Sequence, residues 1–284
     1  MIVRAPATSA NLGAGFDCAA AAFDLWNELE VAEGEGVELE GEGADELPAD
    51  STNLAIRAFA LVTDPTGNRF RFRNRIPLER GLGSSAAAVA LGLAAAAAMT
   101  AHDERGLSNS LLQSRLAELL ALGAPLEGHA DNLAAALLGG VTLTDGRNAW
   151  RIADSLPLAA VLVVPERRTA TGASRAALPD PVPRADAVHS VVRATMLGAG
   201  LAAGRADVLA AALDDRLHEP HRSSPILADL RAQLPRGAVG ATLSGSGPSV
   251  LVWADDPDTA AAELRERFPA ERVLPLAVAA RGAL

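Results

Sequence analysis

Apolar and polar positions fall into short blocks along the chain, and the first blocks read as sheet. Residues 1–5 and 25–40 alternate or run apolar between turn glycines at 34, 36, 41 and 43, which predicts early strands joined by exposed acidic turns. Ser51-Thr52 opens a helical pattern that carries Leu54, Ile56, Phe59 and Val62 on its apolar side and stops at Asp64-Pro65-Thr66-Gly67. Arg69-Phe70-Arg71-Phe72-Arg73 then alternates with a period of two, as a half-buried strand does.

From Ser84 to Met99 the chain is almost pure Ala, Val, Leu and Gly, with no polar stripe. Such a segment predicts a central helix buried on all sides, its small residues permitting close neighbours. Helical patterns follow near 107–121 and 131–138, then Gly139-Gly140 and a strand at 141–144. Over 147–156 the pattern relaxes, which places a division between residues 1–150 and 151–284.

The second half predicts a strand at 159–164, helices near 186–202, 205–213 and 223–234, strands at 238–244 and 249–254, a helix at 257–267 and a strand near 272–279. This order is α+β, with a β-α-β-β-α-β core and its helices on one face as the natural arrangement.

A chain of 284 residues holds either two domains around one cleft or one large domain. Its formal charge of −10 opposes a nucleic-acid surface. No basic, then apolar, then small-residue leader opens the sequence, and its apolar runs are short or amphipathic, so the expectation is a cytoplasmic protein that does not engage membranes. One cysteine, Cys18, excludes disulfides and multi-thiolate metal sites and reads as a small buried side chain. Every basic residue is arginine. Without lysine there is no Walker A loop, no pyridoxal Schiff base and no protein-kinase strand lysine.

Four loops carry candidate chemistry. In Arg80-Gly81-Leu82-Gly83-Ser84-Ser85-Ala86 the glycines let backbone N–H groups converge ahead of a helix, an arrangement that suits an anion; the serines either cap the helix or offer a hydroxyl to magnesium. Ser9-Ala10-Asn11-Leu12-Gly13-Ala14-Gly15-Phe16-Asp17 holds an amide and a carboxylate in a glycine turn but lacks the third glycine of a dinucleotide fingerprint. Glu127-Gly128-His129-Ala130-Asp131-Asn132 precedes an apolar helix that Asp131 either caps or flanks with a carboxylate facing a cleft; a lone His129 reads as structural. Gly245-Ser246-Gly247-Pro248-Ser249 is a further backbone-rich loop. Thr171 and Arg175 lie four apart and Arg222 ends Asp215-Arg216-Leu217-His218-Glu219-Pro220-His221-Arg222; two guanidiniums either clamp a carboxylate or form surface ion pairs.

Taken in order, residues 6–17, 77–87 and 244–249 resemble the three motifs of the GHMP kinase superfamily, and PATSANLGAGFD, GHADN, TATGASRAALP, HEPHR and LSGSGPS together resemble its homoserine kinase family over nearly the whole chain. The resemblance implies an N-terminal domain like domain 2 of ribosomal protein S5 and a ferredoxin-like C-terminal domain. It implies transfer of the γ-phosphoryl group of ATP to the side-chain hydroxyl of L-homoserine, with Mg2+, in a homodimer. By motif position Pro77, Arg80, Gly81, Leu82, Gly83, Ser84, Ser85 and Ala86 would hold the phosphates, and Asn53 and Leu54 the adenine. Ser85 would ligate magnesium with a glutamate, Glu127 in preference to Glu118. Asn11, Asp17 and Asp131 would meet the amino group, and Asn132 would orient the attacking hydroxyl. Arg175 and Arg222 would grip the carboxylate with Thr171 nearby, and Gly245 and Gly247 would close the site. Any lysine that touches phosphate in relatives is either replaced here by arginine, Arg80 for instance, or dispensable.

Overall fold

The computed structural model describes residues 1–101, 109–169 and 171–283, with backbone alone at 109–111 and 171–173. Its first half runs β1 (Ile2–Asn11), β2 (Gly15–Glu33), β3 (Val37–Gly41), α1 (Leu54–Ala60), β4 (Asn68–Asn74), α2 (Ser84–Thr100), α3 (Asn109–Ser114), α4 (Leu116–Glu127), α5 (Asp131–Leu138), β5 (Val141–Thr144) and β6 (Ala149–Ala153). Its second half runs β7 (Ala159–Val164), α6 (Thr171–Ala176), α7 (Arg184–Ala203), α8 (Ala206–Ala211), α9 (Pro225–Ala232), β8 (Ala238–Leu243), β9 (Val250–Ala254), α10 (Pro257–Arg267) and β10 (Arg272–Leu276).

The first sheet has the order β3-β4-β2-β5-β6, with β1 also paired to β2. Only β3 and β4 run parallel in it. The alternation at 69–73 is explained by its two faces. Phe70 and Phe72 enter the core, while Arg71 and Arg73 pair across strands with Glu28, Glu30, Glu38 and Glu40. The second sheet, β10-β7-β9-β8, is antiparallel throughout, and its element order is the β-α-β-β-α-β of a ferredoxin-like unit. One face of it packs Val161, Val163 and Val252 against Leu227 and Leu230 of α9 and Leu264 of α10. The other face sends Leu162, Val164, Leu251 and Trp253 into the core that also holds α2 and the first sheet. Both faces being buried, β7 and β9 are unbroken apolar runs. The helix α7 packs on β2 and β6 of the first sheet instead.

Several expectations need correction. The stretch 9–17 is mostly strand: Ser9 to Asn11 end β1, Gly15 to Asp17 begin β2, and only residues 12–14 turn. The relaxed stretch 147–156 contains β6, which pairs with β5, so the chain passes between sheets at 154–158. The first part of the helix expected at 107–121 lies outside the described residues, and the rest divides into α3 and α4, with α4 continuing past Pro125. The helix α6 carries no apolar period that would announce it. Among the described residues no helix is long and apolar enough to cross a membrane.

Burial of α2 on every side, with Ala86 to Ala98 almost wholly covered, requires neighbours at backbone distance. Gly92 marks the tightest contact, since a Cβ there would lie 2.0 Å from the carbonyl oxygen of Ala55 in α1. Helix propensity favours Gly92→Ala by about 1 kcal/mol, whereas forcing two backbones apart in a close-packed core costs about 2–3 kcal/mol, so overpacking wins. Denaturant unfolding of Gly92→Ala should therefore show a net loss of stability, and a stabilised variant would refute this packing.

Candidate active site

The loop ahead of α2 turns through left-handed backbone at Gly81 (φ 74°) and Gly83 (φ 64°). Gly83 is the N-cap residue and no side chain caps the helix, so neither serine serves as a cap. The first intrahelical bond runs from the Ala87 N–H to the Gly83 carbonyl at 2.8 Å, which leaves the amides of Ser84, Ser85 and Ala86 without an intrahelical acceptor. These donors and the helix dipole make an anion site. Both glycines are obligatory for space as well as for φ: a Cβ would meet the Ser244 carbonyl oxygen at 2.1 Å from Gly81 and Thr8 Oγ1 at 1.9 Å from Gly83.

Around this helix end the other loops converge, enclosing a cavity of about 290 Å³ lined by Asn11, Asp17, Arg80, Gly81 to Ser85, Glu127, Asp131, Asn132, Arg175, Arg222 and Gly245. A second cavity of about 480 Å³ is lined by Asn53, Leu54, Leu47, Pro48 and Phe72 and shares Glu79, Ser84 and Ser85 with the first. Asn53 is the N-cap of α1, accepting from the Ala55 N–H, so its side chain shapes the cavity wall through the helix it starts. Pro77 and Ala86 are buried and line neither cavity; Ala86 faces the site through its amide alone. Thr171 begins α6 but its side chain lies outside the described residues. Gly247 sits behind the first cavity with φ 79°, its N–H on the Ser244 carbonyl at 2.9 Å.

The Ser85 hydroxyl contacts the carboxylate of Glu127, the last residue of α4. Burial pushes the Glu127 carboxyl above its ordinary range, although the bond from Ser85 and the nearby His129 pull the other way. Glu118 points elsewhere, held in a two-point pair with Arg115 at 2.9 and 2.7 Å. Arg80, expected on phosphate, instead donates to the carbonyls of Pro165 (2.7 Å), Leu78 (3.2 Å) and Glu166 (2.7 Å). Its role is to brace the loop against the end of β7.

Asp131 is buried, and its Oδ1 accepts from the Asn132 N–H at 2.7 Å and lies 2.9 Å from His129 Nδ1. That bond raises the His129 pKa against the effect of burial. Asp131 is the first residue of α5 rather than its cap. Asn132 Oδ1 accepts from the Thr8 hydroxyl at 2.7 Å, which leaves the amide NH2 as the group free to meet a ligand.

Asn11 (φ 72°), Leu12 (φ 48°) and Gly13 (φ 87°) form a run of left-handed backbone at the end of β1. Strain of this sort persists only where the surroundings enforce it. Here Asn11 is buried and fastened on both sides, donating to the Gly245 carbonyl at 2.9 Å and accepting from the Asp17 N–H at 3.2 Å. Asp17, itself at φ 57°, forms a two-point ion pair with Arg175 at 2.8 and 2.7 Å. The two groups expected to hold opposite ends of one ligand are thus paired with each other. Arg175 and Arg222 each lie 5.6 Å from the centroid of Phe16, and Arg222 Nε is buried with no partner among the described residues. Burial, then the positive charge of Arg175, lowers the Arg222 pKa.

Family models match both halves of the chain. The model for the GHMP kinases N terminal domain matches residues 53–140 and that for the GHMP kinases C terminal region matches 194–270. The homoserine kinase of Gloeobacter violaceus is 43% identical over 88% of this chain and 86% of its own length, and that of a Nostoc species is 36% identical over 92% and 88%. A solved homoserine kinase from Cytophaga hutchinsonii superposes with a TM-score of 0.81 at 26% identity, covering 100% of this chain and 96% of that one. The chain belongs to the GHMP kinase family.

Sequence reasoning missed the residues that fasten this GHMP kinase site together: Thr8, Ser9, Phe16, His218 and Ser244. Their signal was weak but present, for they are hydroxyl or ring residues within four positions of Asn11, Asp17, Arg222 or Gly245. Ser244 Oγ lies 2.6 Å from the Gly81 carbonyl and 2.9 Å from Ser9 Oγ. A carbonyl only accepts, so the single Ser244 proton goes to Gly81 and Ser9 donates to Ser244. Ser244→Ala strands both partners in the core, which should lower stability by about 1–3 kcal/mol in denaturant melts and raise the KM for ATP; an unchanged melt would overturn the relay.

Proposed function

We infer that this GHMP kinase transfers the γ-phosphoryl group of ATP to the side-chain hydroxyl of L-homoserine, giving O-phospho-L-homoserine for threonine biosynthesis. Curated and solved relatives named homoserine kinase support the activity. The observation that carries the acceptor is the pairing of acidic groups with two arginines beside an anion-binding helix end. Homoserine presents an ammonium, a carboxylate and a neutral hydroxyl. Asp17 and Asp131 answer the first, Arg175 and Arg222 the second, and the Asn132 NH2 the third. Binding exchanges the Asp17–Arg175 pair for two pairs with the zwitterion, so neither protein charge is left uncompensated.

The amides of Ser84, Ser85 and Ala86 take the transferring phosphates, and the cavity beside Asn53 and Leu54 takes the nucleoside. Ser85 and Glu127 would hold Mg2+, being hard oxygen donors of the type that ion accepts; among the described residues no group of three acidic, His or Cys side chains makes a protein-only cage. When bound there, the ion would neutralise phosphate charge. Asp131 already accepts two bonds through Oδ1 and acts by charge rather than as a strong base, in keeping with a loose transition state. On the same reading the part of the chain before the crossing at 154–158 forms the ATP-binding unit and the part after it the second unit. The protein works on small molecules in the cytoplasm as a homodimer, which light scattering checks.

Coupled ADP release should show homoserine preferred over mevalonate or sugar acceptors, and the opposite preference would refute the assignment. Arg222→Ala should raise the KM for homoserine at least about tenfold while the KM for ATP stays within about twofold.

The raised Glu127 pKa also fixes a pH dependence. Only the carboxylate binds the cation, so acidification removes it at a higher pH than an ordinary glutamate would allow. Half-maximal Mg2+ should rise on acidification from a higher pH than an ordinary glutamate would give, and Glu127→Gln should raise it at all pH values while flattening the dependence. Titration of Mg2+ at several pH values decides this, and chelation should abolish turnover.

A further inference from the structure

The stretch 215–222 drew attention for its arginine, yet its most constrained side chain is His218, fully buried beneath the site. Nε2 lies 2.9 Å from the carbonyl oxygen of Gly13 in the left-handed turn after β1. A carbonyl only accepts, so Nε2 carries the proton. Nδ1 lies 2.9 Å from Arg222 Nη1, and a guanidinium only donates, so Nδ1 is bare. Two partners of opposite demand therefore impose one neutral tautomer. Burial acts in the same sense, holding the His218 pKa near about 4 despite Asp215 at 3.7 Å and the nearby Asp17. Phe16 stacks on the ring at 5.1 Å and 24°.

The consequence falls on Arg222. Its Nη1 gives one proton to His218 and the other to the Gly245 carbonyl at 3.0 Å, while Nε, buried, meets no partner among the described residues. Arg222 lines the site cavity, and with both Nη1 protons taken, Nε and Nη2 remain as the pair of donors that suits two-point binding of a carboxylate.

We propose that His218 is a positioning residue for the acceptor: through its bare Nδ1 it fixes the guanidinium of Arg222 in the carboxylate-binding orientation, and through Nε2–H it ties that orientation to the Gly13 turn bearing Asn11 and Asp17. This rests on the acceptor reading above. It predicts that the two ring nitrogens have separable effects. His218→Asn keeps an acceptor where Nδ1 stands, and His218→Gln keeps a donor where Nε2 stands.

Steady-state kinetics of purified full-length variants tests this. His218→Ala and His218→Gln should each raise the KM for homoserine about tenfold with the KM for ATP within about twofold, and His218→Asn should recover most of that loss. In an Arg222→Ala background, His218→Ala should add nothing further. Equal losses in the Asn and Gln variants, parallel rises in both KM values, or additivity with Arg222→Ala would overturn the proposal, and the Asn and Gln comparison stands even where the Ala variant does not fold. Nitrogen-15 NMR of the wild-type histidines adds a measurement without substrate: His218 should be protonated at Nε2 alone, and an Nδ1–H or charged ring would refute the arrangement. A failed homoserine assay falls on the activity reading, since the NMR result decides the His218 geometry independently.

Discussion

The end of α2 must stay open, and the surrounding architecture follows from that requirement. A helix with three unsatisfied amides is costly inside a protein unless a ligand or a cap meets them. Here no side chain among the described residues caps them, and hydrogen bonds from backbone and side chains instead hold the walls around the opening. The Thr8 N–H donates to the Leu82 carbonyl at 3.0 Å, the Gly245 N–H to the Ala10 carbonyl at 3.1 Å, and Ser244 to Gly81. These bonds join β1, the glycine loop and the turn after β8 at distances only Gly81 and Gly83 allow. Behind the opening, α2 is packed so tightly that the helix end has little freedom to move.

Charge in the site is arranged by burial more than by number. Glu127 is raised, His218 is kept neutral and Arg222 is lowered, and in each case removal from water is the leading cause. Exposed pairs such as Arg205 with Asp207 are just as close, but water surrounds them and they add little. A carboxylate beside a helix end, an arginine with one nitrogen unpartnered among the described residues and an acid paired to an arginine of the same site are all states that a charged ligand would relieve. Glu219 continues the pattern below the site. It is fully buried, raised to about 7 by that burial, and fastened to the Leu243 N–H and Arg231, so it steadies the strand leading into the 244–249 turn.

Lysine-free composition shapes which groups do this work. By sequence position alone Arg80 stands in for a phosphate-binding cation, yet its planar guanidinium with several donors finds the carbonyls of Pro165, Leu78 and Glu166. On the proposed reading, backbone amides and two oxygen donors would carry the phosphate end of the site, with Arg175 and Arg222 left for the acceptor end.

By itself the sequence determined the elements whose signal is local: the apolar helix after Gly83, the alternating β4, the runs of β7 and β9, and the glycines whose φ values only the loop ahead of α2 demands. It also determined the family, because motifs in order specify one. Only the tertiary structure decided the partners. Ser9 to Asn11 became strand by pairing with β2, Glu127 rather than Glu118 reached Ser85, Asp17 turned to Arg175, and His218 emerged beneath Arg222. The reason is that periodicity and turn chemistry act over a few residues, whereas Ser85 meets Glu127 across 42 positions, Asp17 meets Arg175 across 158 and His218 meets Gly13 across 205, through close packing, hydrogen-bond direction and burial.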